Sequence, residues 1–344
     1  MGKDRQFEPG WIDRFNNRVE KLPIRFWIFY ASLALLLIGI QIIFLWLESG
    51  AQNVELMPVI IFNGLFPPFL LGLMHFLDQQ AVISLNTMKP ALQISEDDFN
   101  DNKYKLSNMP SVPPLAAGLV MLILVILMEQ FSTTPVRYEA LAEFRIFEII
   151  FYIIDKSSAL LFGVFIYHTI RQLRLVNTIN STYIQINLFK LRPLQAFSKL
   201  TASTSAGLVI GVYGWMLINP ELFSDPAIIS FILVITILAL SVFLWPLYGV
   251  HKRMVAAKEN ALHEIDQLSE SVYSKFNNGL HDENYSAIES LNGTIGSIDI
   301  QYKWVKAIPT WPWRPETAQL VLTAIALPLV LAILRFLIEQ AFDL

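Results

Sequence analysis

Seven long apolar stretches, separated by polar segments, dominate the pattern of residues along this chain. Most have about the 20 residues that an α-helix needs to cross a bilayer, although the fifth is shorter. They cover residues 26–46, 57–77, 115–131, 147–170, 205–218, 227–250 and 316–340. We therefore predict an all-α fold, a polytopic membrane bundle of seven transmembrane helices.

Helical periodicity continues outside several of these spans. Residues 1–24 keep their apolar positions on one face, which predicts an amphipathic helix on the membrane surface. After the fourth span, and again over 254–276 after the sixth, apolar residues recur every three or four positions. We expect spans 4 and 6 to project well beyond the bilayer, with a second helix at 285–300 and a short one beginning at Ser95.

Basic residues indicate the direction of the bundle. Residues 1–25 and loops 78–112, 171–204 and 251–314 hold 21 of the 25 Lys and Arg residues, and the opposite loops hold only two. Because loops rich in Lys and Arg stay on the cytoplasmic side, the N-terminus is predicted to be inside and the C-terminus outside. The extensions of helices 4 and 6 are then intracellular, and the expected location is the plasma membrane.

The same pattern divides the chain into four parts. We expect an amphipathic surface helix, transmembrane helices 1–6, a cytoplasmic helical segment and a seventh transmembrane helix. Their bounds are 1–24, 25–250, 251–314 and 315–344, with the cytoplasmic loops 78–112 and 171–204 inside the second part.

Composition supports a membrane protein and narrows its chemistry. The chain is 54% hydrophobic and only 16% charged, whereas a soluble domain carries about 25% charged residues. A net charge of −4 does not favour nucleic acid, and the lack of cysteine excludes thiolate metal sites and Cys nucleophiles. No GxSxG, Walker A or GxGxxG sequence occurs. We expect neither an enzyme nor a bound cofactor.

A charged pair lies within the fourth span. Asp155 and Lys156 each cost at least ~2.5 kcal/mol at such a depth, so intramembrane charges usually have a role. With Tyr152 and Glu129 they are the candidate ligand-binding residues, in an aqueous cavity of the outer half. The structural alternative is that one charge pairs with another span while the other reaches the interface.

Histidines occur at the inner ends of three spans that run in the same direction. They are His75, His168 and His251, and Asp78 lies one turn from the first. One hypothesis is a metal site of a membrane enzyme, and the alternative is a set of interfacial histidines. Because no HxxxH or HExxH pair exists, we predict no metal site.

The fifth span carries glycines on one face. Gly207, Gly211 and Gly214 are spaced so that another helix backbone can approach closely. We therefore predict that these residues pack helices together.

The last span is the candidate pore helix. Trp311 to Arg314 precede it as a proline-containing elbow that we expect to anchor it at the interface and to couple it to the inside helices. Arg335 lies near its outer end, where it either reaches the interface or sets a ring of charge at a pore mouth. The candidate pore-lining residues are Gln319, Thr323, Leu327, Leu331, Leu334 and Arg335.

This arrangement resembles the insect gustatory and odorant receptor-like seven-span ion channels. The shared features are the surface helix, the inward extensions of spans 4 and 6, the inside helix, the elbow and the final span. In that span the apolar run Val330 to Leu334 and Phe336 match, whereas Arg335 stands where the family tends to have an amide. The resemblance implies a tetrameric cation channel with a pore lined by the last span and a ligand in the outer half.

Three functions follow as hypotheses. The first is a homo-oligomeric, ligand-gated ion channel of the chemoreceptor-like type, with the lipid bilayer, further copies of the chain and an unknown small ligand or ion as partners. The second is a secondary transporter or small-molecule receptor that uses the Asp155/Lys156 site within one bundle. The third is a metal-dependent membrane enzyme.

Overall fold

The computed structural model describes residues 7–49, 56–131, 144–218, 226–281, 285–313, 315–319 and 321–326. Within these ranges the chain is helical, and the only β pairing is an isolated bridge between Leu92 and Ile184. The helices are α1 (Trp11–Glu20), α2 (Phe26–Ser49), α3 (Met57–Met88), α4 (Glu96–Ser107), α5 (Val112–Phe131), α6 (Arg145–Tyr183), α7 (Leu191–Leu194), α8 (Ser198–Ile218), α9 (Pro226–His281) and α10 (Tyr285–Ala307). A 3₁₀ turn covers Lys89–Ala91. Residues 315–319 and 321–326 are also helical, and they are together called the C-terminal helix below.

Five helical stretches in the described part of the chain are long and apolar enough to cross a membrane. They are Phe26–Glu48, Met57–Ala91, Glu96–Gln130, Arg145–Tyr183 and Ile232–Asn278. The all-helical prediction is therefore confirmed, and the long apolar helices are compatible with an integral membrane protein.

The structure gives five candidate spans where the sequence predicts seven. The predicted fifth span lies in α8, whose first half is rich in Ser and Thr, and α8 is not one of the five. The predicted seventh span lies in 315–344, of which only 315–319 and 321–326 are described.

The predicted helix extensions are present and are longer than expected. After the fourth predicted span α6 continues to Tyr183, and after the sixth α9 continues to His281. The 56 residues of α9 span ~84 Å at 1.5 Å per residue, nearly three times the ~30 Å hydrocarbon thickness of a bilayer. Much of α9 must therefore lie outside the membrane, where α10 packs against it.

Helices α3 and α6 form the centre of the bundle. Helix α3 contacts α2, α4, α6 and α8, and α6 contacts α2, α5 and α9. Their large side chains, such as Met74, Leu77 and Phe165, are fully buried. Peripheral helices instead expose apolar residues, including Leu35 on α2 and Val120 on α5, as lipid-facing helices do.

Glycines allow close helix contacts at several places in the bundle. On α8, Gly207 lies against Leu73, while a Cβ at Gly211 or Gly214 would meet the rings of Phe66 or Phe62 on α3. The glycine face of α8 thus lies against the central helix. Its small residues leave room for the large side chains of α3.

Another close contact joins α5 and α6, and the sequence alone did not predict it. A Cβ added to Gly163 would lie 2.5 Å from the carbonyl oxygen of Ala117 and 2.9 Å from Cα of Gly118. A Cβ at Gly118 would lie 2.8 Å from the carbonyl oxygen of Leu160. Only glycine allows the two backbones to approach this closely.

The amphipathic helix α1 packs against the bundle with more than its apolar residues. Ile12 belongs to the main core, and Val19 is buried. Asp13 and Asn16 are buried as well, and the Tyr30 hydroxyl on α2 donates a hydrogen bond to Asn16 Oδ1 (2.9 Å). Some polar residues of this predicted surface helix therefore contact other parts of the protein instead of water.

Candidate functional site

The four candidate ligand-binding residues lie together between α5 and α6. Lys156 Nζ donates a hydrogen bond to Asp155 Oδ2 (3.0 Å) and another to Glu129 in the last turn of α5. The same ammonium lies 4.6 Å from the centre of the Tyr152 ring, one helical turn away. Two carboxylates thus surround one ammonium, next to an aromatic face.

The charges of this cluster, called the outer charged cluster below, are partly withdrawn from solvent. The side chains of Lys156, Asp155 and Glu129 are 16%, 20% and 24% exposed. One interpretation of the sequence was that a charge in this span pairs with another helix, and Lys156 does pair with Glu129 of α5. With all three groups ionised one negative charge remains, which favours a cation or a ligand with an N–H donor.

At the opposite end of the bundle, Asp78 joins two residues of α6. The His168 Nε2 atom lies 2.8 Å from Asp78 Oδ1, and Gln172 Nε2 donates to the same oxygen (3.3 Å). Gln172 also donates to the carbonyl oxygen of Leu106 (3.0 Å), which joins α6 to the end of α4. This network holds α3, α4 and α6 together.

His75 belongs to a neighbouring network that includes α1 and α2. Its Nε2 atom lies 3.1 Å from Glu20 Oε1, and its Nδ1 atom lies 3.3 Å from the Tyr30 hydroxyl. Gln79 Nε2 donates to the same Glu20 oxygen (3.1 Å). The imidazole of His75 also stacks on Phe26, with ring centroids 4.6 Å apart.

His251 lies apart from these two networks. Its ring stacks on Trp311 at 3.8 Å between centroids, and its Nδ1 atom lies 3.0 Å from the carbonyl oxygen of Thr310. The four residues considered for a metal therefore do not converge. Among the described residues, no group of three or more His, Cys, Asp or Glu side chains could hold a metal ion.

The elbow before the last span is held on α9 by a row of stacked rings. Trp311 stacks on Trp313 at 4.2 Å, and Trp313 stacks on Phe243 of α9 at 5.1 Å. Lys258 of α9 donates hydrogen bonds to the carbonyl oxygens of Lys306 (2.7 Å) and Ile308 (2.8 Å). These contacts fix the end of α10 and the elbow to a single helix.

The pore candidates fall partly within the described C-terminal helix. Gln319 and Thr323 are exposed, whereas Val321 and Ile325 are buried in the main core. The remaining pore candidates, Leu327, Leu331, Leu334 and Arg335, lie outside the described residues.

Sequence reasoning missed the polar face of α1. Asp13, Asn16 and Glu20 recur at spacings of three and four, so a helical wheel places them side by side. Such a polar stripe is usual for the water-facing side of an amphipathic helix. Only packing against α3 and α4 shows that it turns toward protein.

Polar contacts between spans were also not predicted in detail. Asn63 Nδ2 on α3 donates to Gln41 Oε1 of α2 (3.0 Å) and to the carbonyl oxygen of Phe151 in α6 (3.1 Å). Gln41 in turn donates to the carbonyl oxygen of Leu37 (3.0 Å). These bonds satisfy polar groups within the bundle and have a structural explanation.

Comparison of the chain with protein-family models, with curated proteins and with solved structures finds no match. The function is therefore argued from the geometry of the chain's own residues.

Proposed function

We propose that this protein is a ligand-gated ion channel assembled from several copies of the chain, with the C-terminal helix of each copy lining a central pore. The observation that carries the proposal is how this helix begins. Val321 and Ile325 pack into the main core, whereas Gln319 and Thr323 are exposed. These two polar side chains lie beside the exposed Leu322 and are more favourable against water or another copy of the chain than against lipid.

The exposed face of Gln319 and Thr323 continues along the sequence at helical spacing. Positions Leu327, Leu331 and Leu334 follow on the same side, with Arg335 next to the last of them. In the proposed channel these residues form an apolar constriction, and Arg335 places positive charge at the outer mouth.

The proposed topology has seven spans with the N-terminus inside. It adds α8 and the C-terminal helix to the five candidate spans. The support is the distribution of Lys and Arg. When the chain is divided at seven spans, these residues fall almost entirely in alternate loops, as expected if each span crosses the membrane once.

Assembly is supported by apolar residues on the part of α9 and α10 that extends beyond the bilayer. Leu268, Tyr273 and Leu280 on α9 are at least half exposed, as are Ile300 and Trp304 on α10. Outside lipid, such a surface is stabilised when another protein surface covers it. A further copy of the chain is the proposed occupant, and four copies is the number that the family resemblance implies.

Gating in this proposal connects the outer charged cluster with the pore through α6 and α9. The cluster lies on α5 and α6, α6 packs on α9, and α9 holds the elbow through Phe243 and Trp313. A ligand that changes the pairing of Lys156 would shift α6 relative to α5 and thereby act on the elbow.

Cysteine substitution tests the pore, because the native chain has no cysteine. We expect a water-soluble thiol reagent to reduce the current of Thr323→Cys channels in planar bilayers. Val321→Cys, two residues away and buried, is the matched control and should be unaffected. Absence of any conductance from purified oligomer, or equal effects at the two positions, would contradict the proposal.

A single-bundle transporter or receptor is the second candidate, and the outer charged cluster is the observation that favours it. Two carboxylates and an ammonium partly buried between two helices form the kind of site at which transporters bind substrates. Neutralising both Asp155 and Lys156, as Asp155→Asn with Lys156→Gln, should then abolish uptake into vesicles by a monomeric particle. A conducting oligomer with no uptake would exclude this function.

A further inference from the structure

A polar cavity lies at the end of the bundle opposite the outer charged cluster. It has a volume of about 400 Å³ and lies among α1, α3 and the end of α4. Its lining combines three carboxylates, one imidazole, amide and hydroxyl groups and a small apolar wall. The lining residues are Asp13, Asn16, Asn17, Glu20, His75, Asp78, Gln79, Val82, Ile83, Ser107 and Asn108.

Two buried side chains that line this cavity have polar atoms without a partner. Asp13 is 3% exposed and Asn16 is 6% exposed. In each, one oxygen is satisfied: Asp13 Oδ2 accepts from the N–H groups of Gly10 (3.0 Å) and Met109 (2.6 Å), and Asn16 Oδ1 accepts from Tyr30. Asp13 Oδ1 and Asn16 Nδ2 are buried and make no hydrogen bond.

These two atoms define complementary requirements for a ligand. Asp13 Oδ1 needs a donor, and Asn16 Nδ2, one helical turn away, needs an acceptor. Buried polar atoms in proteins are usually satisfied by a protein group, a water or a bound molecule, and these two lie on side chains that line the same cavity. The two atoms call for a ligand with an N–H group next to an oxygen.

The charges around the cavity select a cation. Asp13, Glu20 and Asp78 contribute carboxylates, and no Lys or Arg is among the described residues that line the cavity. Arg171, whose charge acts on Asp13 and Asp78, does not line the cavity and is held by the carbonyl oxygen of Lys105 and the ring of Phe7. His75 is already in contact with Glu20 and Tyr30.

We propose that this cavity binds a small organic ammonium ion, whose N–H groups donate to Asp13 and whose neighbouring oxygen accepts from Asn16. The exposed Glu20 at the rim attracts the charge, and Val82 and Ile83 contact the carbon skeleton. Amino alcohols have this chemistry. It is available from a free amine and from the ethanolamine headgroup of a lipid, and Ile83 of the cavity wall is 54% exposed at the surface of α3.

Ethanolamine is the probe for this site in the full-length protein purified in detergent. We expect it to raise the melting temperature saturably and to bind with a Kd on the order of 1 mM, measured by calorimetry. Ethylene glycol, which lacks the charge, should have no such effect. Choline, which keeps the charge without N–H donors, should bind more weakly than ethanolamine.

Two substitutions separate binding from folding. Asp13→Asn keeps an oxygen for the two backbone N–H groups but puts an NH₂ group where Oδ1 stands, so ethanolamine should bind at least about tenfold more weakly. Glu20→Gln, at the half-exposed rim, should weaken binding less, because it removes a charge but keeps an oxygen that can accept the hydrogen bond from Gln79. The control is Glu96→Gln, which removes an exposed carboxylate of α4 outside the cavity and should bind ethanolamine as tightly as the native protein does.

Lipid nanodiscs identify the source of the ammonium group. If the headgroup occupies the site, native protein is more stable in phosphatidylethanolamine than in phosphatidylcholine, and Asp13→Asn removes the difference. If a free amine is the ligand, the two lipids are equivalent and ethanolamine stabilises in both. The proposal is overturned if neither probe nor lipid has an effect, or if both variants bind ethanolamine as tightly as the native protein.

Discussion

Asp13 is a carboxylate that burial has made easier to protonate. It lies on α1 outside the candidate spans, and loss of solvation raises its pKa from 3.8 to about 6, against the opposing effect of the hydrogen bonds from Met109 and Gly10. The native state therefore binds this proton more tightly than the unfolded state does. The charge on Asp13 is unfavourable unless a cation meets it, which agrees with the cavity that it lines.

The raised pKa of Asp13 predicts how the free energy of unfolding changes with pH. Between about pH 4 and 6 the unfolded chain loses this proton before the native protein does, so the free energy of unfolding falls as pH rises. A shift of about 2 units corresponds to roughly 3 kcal/mol at most. Asn at position 13 cannot ionise. The stability of the native protein relative to Asp13→Asn should therefore fall between about pH 4 and 6 and not change further at higher pH.

Thermal denaturation in detergent, measured for the two proteins from acidic to neutral pH, tests this effect. Glu96→Gln provides the control, because its carboxylate is exposed, and its curve should run parallel to that of the native protein. Identical pH dependence in native protein and Asp13→Asn would show that burial does not shift this pKa.

At the scale of the helix pair, the contact between α5 and α6 determines whether the outer charged cluster can form. Glu129 is in the last turn of α5 and reaches Lys156 on α6, and the backbones approach most closely at Gly118 and Gly163. Two of the obstructing atoms at Gly163 are backbone atoms and the third is Cβ of Met121, so a side chain there cannot be accommodated by a change of rotamer.

Substitution of Gly163 should therefore damage both stability and the cluster. We expect Gly163→Val to separate α5 from α6 and to destabilise the protein by about 1–3 kcal/mol or more. In detergent this appears as a lower melting temperature, together with loss of whatever current or uptake depends on Lys156.

Gly39→Ala on α2 is the matched control for this substitution. A Cβ at Gly39 meets nothing within 4 Å, so the change should be neutral or stabilise α2 by up to about 1 kcal/mol. A Gly163→Val protein as stable as Gly39→Ala would mean that the two helices are not in close contact.

At the scale of the whole molecule, the long hairpin of α9 and α10 predicts self-association. Trp304 is 67% exposed on α10, which pairs with α9. If further copies cover this surface, Trp304→Glu should shift the purified protein from oligomer to monomer, because burying the new charge is unfavourable.

Light scattering coupled to size-exclusion chromatography in detergent measures this shift. Asn292→Glu adds the same charge at an exposed position of α10 twelve residues away, on another side of the helix, and should leave the oligomer intact. A monomeric native protein, or an oligomer of unchanged mass in Trp304→Glu, would exclude this surface as the interface.

Local patterns in the sequence were sufficient for most of the helices. Period and length predicted the projecting helix α9, the start of α4 after Ser95 and the start of α10 at Tyr285, because amphipathic spacing reflects the period of a single helix. The charged pair Asp155 and Lys156 was also visible, because charge within an apolar stretch stands out. Span number and orientation remain predictions that rest on hydropathy and the bias of basic residues.

Only the tertiary structure shows which residues these polar and charged side chains contact. It placed Glu129 against Lys156, Asp78 against His168, and the polar face of α1 against α3 and α4. Sequence patterns cannot distinguish a polar stripe that faces water from one that faces protein, since both have the same helical period. Whether Asp13 is solvated or buried depends on residues far along the chain, such as Met109, and this long-range packing created the cavity.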